Sequence, residues 1–521
     1  MDYGFLTLNE GSLVIPAACT ALVIATLASY LVAKFTGRWV IANLLKTLNG
    51  GVSRRSRPIT GPEWQWPNGQ LTERFMNGRA KSAEWQKYGP VYRIWAGSNP
   101  EIVITTPEHL RIFHSDSARH GKTLDANFGW YFSHFLGRCV GLLVGEEWTS
   151  MRRLLEPAFR HSATVTRMPV IDREARKFMT SLPSLGKSDT SGDGAETFTL
   201  HAITAFMKFP FFLSAEVIYG ELSASENDAL WGLATRRLAL TPNIFRGGLY
   251  RSSLLRWYDP PLYRELMAFV RDWKQFNLEI AENRTQQGLS VPVASYWKSY
   301  TEGKITVEQM THSLDEMLFA NLDVSTFVIT WLITLVADSS EAKRELRDEI
   351  AAHSDNFTEY LARSDTHLHR CLYESMRLRP ITIFNVGETS PAVKNFGGIL
   401  VKPNTMVVVD TLAINTRNPF WGPNSESFDP SRFKNIKKAD DMAFTDRANQ
   451  LRYNLALFGF GHRKCLGQHF ASPMVKAVAA HLFQQYDVQV YDGRRGNNDY
   501  KIDEKAWVPM ADVVLQLTRY K

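Results

Sequence analysis

Residues 458–467 read Phe458-Gly459-Phe460-Gly461-His462-Arg463-Lys464-Cys465-Leu466-Gly467, and we call this stretch the cysteine loop. Its three glycines within nine residues predict a tightly folded backbone that approaches a neighbouring group closely, such as a flat cofactor. A helical pattern follows from Gln468 to Tyr486, so Cys465 stands at the start of a helix and beside Arg463. Backbone N–H groups and positive charge stabilise a thiolate at such a place. We therefore predict that Cys465 binds a metal ion.

The other cysteines, Cys19, Cys139 and Cys371, have no such neighbours. A lone cysteine is most often a small buried apolar side chain, and we assign these three that role. The four cysteines form no CxxC pair. Neither a disulfide framework nor a structural zinc site is therefore predicted.

The composition of the 521-residue chain is that of a globular protein, with 44% hydrophobic and 22% charged residues. It excludes a collagen, a coiled coil and a disordered chain. The length fits one large domain or two medium ones. No internal repeat is present and no boundary divides the body convincingly, so we predict one large domain.

An uncharged segment of 21 residues, Leu13 to Ala33, lies near the N-terminus. A helix of about 20 residues crosses the bilayer core. Acidic residues precede the segment and basic residues follow it, so the chain after it is expected to stay in the cytosol. A cleaved signal peptide is the alternative, which the acidic start and the long apolar run disfavour. We predict a lumenal N-terminus at 1–12, a transmembrane anchor at 13–33, and a basic flank with a proline-rich linker at 34–69.

The net charge of +7 is concentrated around this segment. Residues 1–57 hold six basic and two acidic residues, a net charge of +4, which leaves +3 for the other 464 residues. A basic flank suits an anionic cytosolic leaflet, whereas a nearly balanced body is no surface for nucleic acid. We expect a membrane partner and no nucleic acid.

Residues 70–521 are predicted to form a mainly α-helical body with a minor β part. A hairpin is expected over 91–105, a helix opening at Thr106, and short strands over 398–409 and near the C-terminus. Residues 186–196 and 440–450 are expected to be irregular. The segment from Thr306 to Asp338 begins with a capping box and predicts a helix of ~45 Å, which would cross the domain.

The cysteine loop resembles the heme loop of the cytochrome P450 family. Its fixed places, FxxGxRxCxG, are filled by Phe458, Gly461, Arg463, Cys465 and Gly467. The resemblance implies the cytochrome P450 fold, preceded here by one transmembrane helix. It also implies heme b, with the Cys465 thiolate as axial ligand of the iron, a ligand that favours O–O cleavage. In the family the arginine pairs with a heme propionate and the phenylalanine covers the sulfur.

Two upstream motifs support the resemblance. Glu374 and Arg377 form an ExxR pair on a predicted helix, and Arg432 lies in Phe-Asp-Pro-Ser-Arg-Phe, similar to the family's PERF element with serine in place of glutamate. By resemblance the three side chains form a buried charge network that fixes the heme loop. Alone, ExxR is weak, because a solvated helical ion pair gives the same pattern and contributes under roughly 1 kcal/mol.

Trp148 and Arg152 match the WxxxR of the family, whose side chains reach a heme propionate. The alternative is a guanidinium that simply stacks on the indole four residues earlier. On the opposite side, Glu388 stands in the region where many relatives carry a propionate-binding arginine. The resemblance therefore leaves propionate contacts from that side without a residue.

The predicted long helix resembles the family's I helix but departs from its motif in Ala320-Asn321-Leu322-Asp323-Val324-Ser325. Valine replaces the usual threonine and cannot donate a hydrogen bond. Asp323 is a candidate for proton relay, and Ser325, Thr326 or an ordered water would take the place of the missing alcohol. The alternative is that Asp323 pairs with a nearby base and Val324 only packs. We infer that the outcome of oxidation shifts toward coupling, ring formation or desaturation.

We interpret the chain as a heme-thiolate monooxygenase of the endoplasmic-reticulum membrane that oxidises a small hydrophobic substrate. The resemblance implies electrons from NADPH through cytochrome P450 reductase, with cytochrome b5 as an auxiliary partner. It extends to fungal secondary-metabolite members, including those acting on diketopiperazines of gliotoxin-type pathways. Two alternatives stay open: a reductase-independent heme-thiolate isomerase or dehydratase, and a non-catalytic heme-binding membrane protein.

Overall fold

A computed structural model of the chain describes residues 11–47, 50–189, 196–434, 451–496, 499–504 and 506–520. Helices dominate these ranges, as the sequence predicts. The α-helices are Gly11–Thr47, Leu71–Met76, Gly78–Trp85, Pro107–Phe113, Trp130–Leu136, Gly145–Leu155, His161–Ser181, Ala202–Phe206, Lys208–Tyr219, Ala224–Leu240, Leu255–Tyr258, Pro260–Gln286, Pro292–Thr301, Val307–Asp338, Ser340–Ala352, Phe357–Ala362, His367–Leu378 and Gln468–Gln485.

The minor β part consists of two four-stranded sheets and two short hairpins within the described ranges. The first sheet has the order Val91–Ala96, Asn99–Ile104, Met406–Val409, Glu388–Thr389. The second has the order Lys187–Asp189, Thr197–His201, Val514–Arg519, Tyr486–Asp492. The hairpins pair Lys394–Phe396 with Ile399–Val401 and Arg494–Gly496 with Asp499–Tyr500.

The first sheet contains the predicted hairpin, with Val91 opposite Ile104 in an antiparallel pair. The parallel strand Met406–Val409 then places Val409 beside Ile104. The helix predicted at Thr106 begins at Pro107, and the Thr106 hydroxyl accepts from the His109 N–H as an N-cap. These local predictions are confirmed.

The helix Val307–Asp338, which we call the central helix, begins with the predicted capping box. The Thr306 hydroxyl accepts from the Gln309 N–H at 3.1 Å, and the Gln309 side chain accepts from the Thr306 N–H at 2.8 Å. Every residue of 325–337 is buried, because the helices Lys208–Tyr219, His367–Leu378 and Gln468–Gln485 pack around it. The central helix therefore crosses the core.

The N-terminal helix Gly11–Thr47 contains the whole predicted anchor 13–33 and continues beyond it. Large apolar side chains along it are exposed, among them Leu22, Leu27 and Phe35. Within the described residues, two segments of the body are long and apolar enough to cross a membrane, Ala202–Tyr219 and Val307–Asp338, but both are mostly buried in the core.

Two segments differ from the sequence interpretation. Val52 is buried and the neighbouring Ser53 donates its N–H to Leu400 O at 2.8 Å, so the region expected to be a linker lies against the β part. In the predicted loop 186–196, Lys187–Asp189 forms an edge strand because it pairs with Thr197–His201. Residues 190–195 and 440–450 lie outside the described ranges.

Candidate active site

The cysteine loop is closed by a hydrogen bond from the Cys465 N–H to the Phe458 carbonyl at 2.8 Å. Gly459 and Gly461 both adopt left-handed backbone conformations, with φ of +77° and +64°. At Gly461 a Cβ atom would also overlap the side chain of Ser117. The glycine at this place is therefore required both by backbone geometry and by close packing.

The Cys465 side chain is exposed, whereas Cys139 and Cys371 are buried. Desolvation by the surrounding protein raises the pKa of the Cys465 thiol, although the backbone N–H of Gly467 and the charge of Arg152 act in the opposite direction. The sequence predicts a stabilised thiolate. In the protein without a bound metal, desolvation of the thiol outweighs the stabilisation by the Gly467 N–H and by Arg152. Coordination to a metal ion deprotonates a thiol outright, so the ligand role does not require a lowered pKa.

Basic side chains gather on one side of the loop. Arg463 lies over the Trp148 ring, with 4.9 Å between the guanidinium carbon and the ring centroid. It donates to the carbonyls of Gly141 and Leu143 at 3.0 and 2.7 Å. Arg152 does not stack on Trp148 but donates to the Lys464 carbonyl at 3.1 Å. The structure thus brings the predicted Trp148, Arg152 and Arg463 together.

Sequence reasoning missed Lys122, which belongs to no motif. Its ammonium donates to the carbonyls of Val386 and Gly387 at 3.0 and 2.8 Å. The pKa of Lys122 is lowered to about 8, chiefly by burial and also by the charge of Arg463, while the charge of Glu388 acts in the opposite direction. Among the described residues, no carboxylate forms an ion pair with either cation. Two largely enclosed cations that donate to backbone carbonyls fit a dianionic ligand such as heme with its two propionates.

The support network joins the helix His367–Leu378 to the cysteine loop. Arg377 donates to the two carboxylate oxygens of Glu374 at 2.7 and 2.8 Å, and both side chains are fully buried. The Arg432 Nε lies 3.3 Å from Glu374. Arg377 also donates to the Asn415 carbonyl at 2.8 Å, and the Asn415 side chain accepts from the Ala456 N–H at 2.7 Å. Asn415, which no motif marks, carries the network to the start of the loop.

The stretch 320–324 of the central helix contains side chains that are not fully enclosed. Ala320 is exposed, and Asn321, Asp323 and Val324 are partly exposed, although the helix runs through the core. Ser325 is only 2% exposed, and its hydroxyl donates to the Asn321 side-chain oxygen at 2.8 Å. Thr326 points inward and donates to the Leu322 carbonyl. Val324 is thus partly exposed, and Ser325 is linked to the same stretch through Asn321.

Asp323 accepts a hydrogen bond from the Trp507 indole N–H at 2.8 Å. Desolvation raises the pKa of Asp323, and the indole hydrogen bond lowers it in part. The Trp507 ring stacks on Phe245 with 6.4 Å between centroids, and Phe245 contacts Phe128 at 6.0 Å. No base forms an ion pair with Asp323 among the described residues. Aromatic side chains therefore flank the acid.

Comparison with known proteins agrees with these features. The cytochrome P450 family model matches residues 62–508. The cytochrome P450 monooxygenase hasH of Aspergillus fumigatus is 37% identical over 88% of this chain and 84% of its own length. The monooxygenase sirC of Leptosphaeria maculans is 35% identical over 90% and 89%, and gliC of A. fumigatus is 34% identical over 88% and 89%.

The relatives are named cytochrome P450 monooxygenases, which decides between the enzyme classes that the sequence left open. The family binds heme through a cysteine thiolate and receives electrons from NADPH through a reductase. The exposed Cys465 at the closed loop fits that cofactor, as do Lys122 and Arg463, which form no ion pair with a carboxylate in the part of the chain that the structure describes. The chain belongs to the cytochrome P450 family and is a heme-thiolate monooxygenase.

Proposed function

We propose that this monooxygenase oxidises a diketopiperazine-type intermediate of fungal secondary metabolism at the endoplasmic-reticulum membrane, with electrons from NADPH-cytochrome P450 reductase. The observation that carries the proposal is the cysteine loop, closed around an exposed Cys465 and flanked by basic side chains. The aromatic cluster of Phe128, Phe245 and Trp507 supports a small, flat, apolar substrate.

Cys465 is proposed as the axial ligand of heme iron. Bound heme supplies the activation of O2, and the chain's own residues hold it and direct protons. Trp148, Arg152 and Arg463 are proposed to contact the propionates, while Phe458, Gly461 and Gly467 shape the loop beneath the ring. Glu374, Arg377 and Arg432 are proposed to keep the loop in place, which their burial and short ion pairs support.

Asp323 and Ser325 are proposed to hold protons for the reaction that bound heme would carry out. Ser325 acts through the Asn321 amide, since its hydroxyl donates to that group. Trp507 orients Asp323 by donating to its carboxylate. Val324, which has no donor, is partly exposed at the place where the family's I-helix motif has an alcohol. This favours oxidative coupling, ring formation or desaturation over simple hydroxylation.

The substrate class is tested by incubating the purified protein with reductase, NADPH and a panel of aromatic cyclic dipeptides, followed by mass spectrometry. We expect NADPH-dependent products with wild type and none with Cys465→Ser. Oxidation of other apolar compounds without any diketopiperazine product would contradict the substrate class. Turnover of a peroxide without NADPH would support an isomerase instead.

The reductase is proposed to dock on the basic face that includes the exposed Lys464, with cytochrome b5 using the same face. Complementary charge speeds the encounter of two proteins, and salt weakens it. Lys464→Glu is therefore expected to slow reduction of the heme by reductase, most strongly at low salt. Lys177→Glu, at another exposed lysine, is the matched control, and its heme should be reduced by reductase at the wild-type rate. Equal rates in the two variants would contradict this docking face.

Membrane anchoring is proposed with a lumenal segment 1–12, a spanning helix 13–33, a basic flank 34–69 and a cytosolic catalytic domain 70–521. The exposed apolar side chains of the helix Gly11–Thr47 support it. Leu249, Leu254 and Trp257 are also exposed and support contact of the body with the bilayer. After deletion of residues 1–33, less of the protein should stay in the membrane fraction when the membranes are washed with alkali. Unchanged retention would contradict the anchor.

A further inference from the structure

Residues 241–259 join two long helices, Ala224–Leu240 and Pro260–Gln286, and we call them the helix connection. The helix connection carries Phe245, one of the aromatic side chains that support the proposed substrate class. Phe245 is only 6% exposed, and its ring also packs on Phe75 with 5.2 Å between centroids. The position of the helix connection therefore decides where one ring of the aromatic cluster lies.

Two side chains at the end of the predicted linker hold this connection. The Asn68 amide donates to the Arg246 carbonyl at 2.8 Å and accepts from the Gly248 N–H at 2.6 Å. The Thr72 hydroxyl donates to the Phe245 carbonyl at 2.7 Å. Three backbone groups of one short stretch are thus bound by side chains that lie more than 170 residues earlier in the chain.

The backbone on both sides of Asn68 is shaped for this contact. Gly247 and Gly248 adopt left-handed conformations, with φ of +66° and +56°, and a Cβ atom at Gly247 would overlap the Asn68 amide. On the other side, the Gly97 N–H in the turn of the first sheet donates to the Asn68 carbonyl at 2.8 Å. The glycines permit the close approach, and the first sheet fixes Asn68 in place.

From Phe245 the contacts continue to the central helix. The Phe245 ring stacks on Trp507, and the Trp507 indole donates to the Asp323 carboxylate. Close-packed side chains transmit a shift of one member to the next. A displaced helix connection would therefore disturb both the aromatic cluster and the partner of Asp323.

We infer that Asn68 and Thr72 are positioning residues of the substrate site, which fix the helix connection so that Phe245 stays packed against Phe128 and Trp507. The inference rests on the proposed function, in which this aromatic cluster contacts the substrate. Asn68 and Thr72 act through Phe245 and contact no substrate themselves. The segment between the anchor and the catalytic domain then contributes to substrate selection.

The test compares the affinity of the heme-loaded protein for two azoles, measured by the shift of the Soret band. Imidazole and clotrimazole both bind ferric heme iron, but clotrimazole also carries bulky phenyl rings that contact the walls of the site. The loss of one hydrogen bond changes an equilibrium constant about 5-fold. We expect clotrimazole to bind about 5-fold more weakly to Thr72→Val and about 25-fold more weakly to Asn68→Leu, which loses two hydrogen bonds. Imidazole should bind both variants as it binds wild type.

Asn395→Leu is the matched control. The Asn395 side chain also accepts from a glycine N–H, that of Gly398 at 2.8 Å, and Gly397 and Gly398 are also left-handed, with φ of +60° and +95°. The neighbouring Phe396 belongs to an apolar cluster separate from that of Phe245. Asn395→Leu should therefore bind both azoles with wild-type affinity.

Two further measurements separate positioning from a general loss of stability. Hydrogen exchange of the Gly248 N–H should be faster in Asn68→Leu than in wild type, with or without azole. Phe245→Ala should itself weaken clotrimazole binding, and Thr72→Val added to it should cause no further loss, because both changes act through one ring. A further loss in the double variant would contradict action through Phe245.

Wild-type clotrimazole affinity in Asn68→Leu and Thr72→Val, or equal weakening by Asn395→Leu, would overturn the inference. If Asn68→Leu does not accumulate as a folded protein, the conservative Thr72→Val decides the question alone. If wild type takes up no heme and binds no imidazole, the proposed function fails. If wild type binds both azoles and the two variants bind them equally well, only the positioning role fails.

Discussion

The buried ion pair beneath the cysteine loop gives a quantitative prediction for Arg377→Met. The change removes two hydrogen bonds to Glu374 and one to the Asn415 carbonyl. Glu374 keeps the Asp429 N–H at 3.0 Å and Arg432 at 3.3 Å, so its charge is only partly compensated. Removal of one partner from a buried pair costs about 3–5 kcal/mol in the free energy of unfolding.

The assay is urea unfolding of the heme-loaded protein, followed at the Soret band, which reports the cysteine loop. The matched control is Arg176→Met, because Arg176 pairs with Asp172 at 3.1 Å but is 61% exposed. An exposed pair contributes about 0–1 kcal/mol. Arg377→Lys, which keeps the charge but loses the two-pronged contact, should fall between them. If Arg377→Met unfolds within 1 kcal/mol of the control, the network does not hold the loop, and the reasoning is refuted.

Three further predictions concern the loop and the central helix. Val324→Thr should change product ratios toward hydroxylation, measured by mass spectrometry, and unchanged ratios would count against the proposed effect of valine. Gly461→Ala should lower the heme content of the purified protein more than Gly459→Ala. An alanine backbone is strained at both positions, but only at Gly461 would the added Cβ atom overlap a neighbouring side chain, that of Ser117. Equal heme content in the two variants would contradict this reasoning. Trp507→Phe removes a hydrogen bond that lowers the pKa of Asp323. The pKa of Asp323 should therefore rise, and the ascending limb of the turnover–pH profile should move to higher pH. An unmoved limb would contradict a role for Asp323.

Local patterns along the chain were sufficient for much of the fold. The capping box at Thr306 and Gln309 and the N-cap at Thr106 are interactions within one turn, so the sequence alone defines them. The cysteine loop is equally local, since glycine is needed where the backbone turns left-handed. The mainly helical architecture with a small β part is confirmed by the same reasoning.

Contacts between distant segments could not be predicted. Lys122 meets Val386 and Gly387 more than 260 residues away, and nothing in the residues around it marks that contact. The partner of Asp323 is Trp507, not a base, because the C-terminal segment returns to the central helix. The direction of the pKa shift of Cys465 could not be predicted for the same reason, because the desolvation comes from side chains that the loop sequence does not contain.

The central claim is that Cys465 holds heme iron through its thiolate. The most direct measurement is the absorption spectrum of the reduced, carbon-monoxide-treated protein for wild type, Cys465→Ser and the control Cys139→Ser, whose cysteine is buried. We predict the Soret band of thiolate-ligated heme in wild type and in Cys139→Ser, and its loss in Cys465→Ser. A thiolate-type band that survives in Cys465→Ser, or a wild-type protein that binds no heme, would contradict the account.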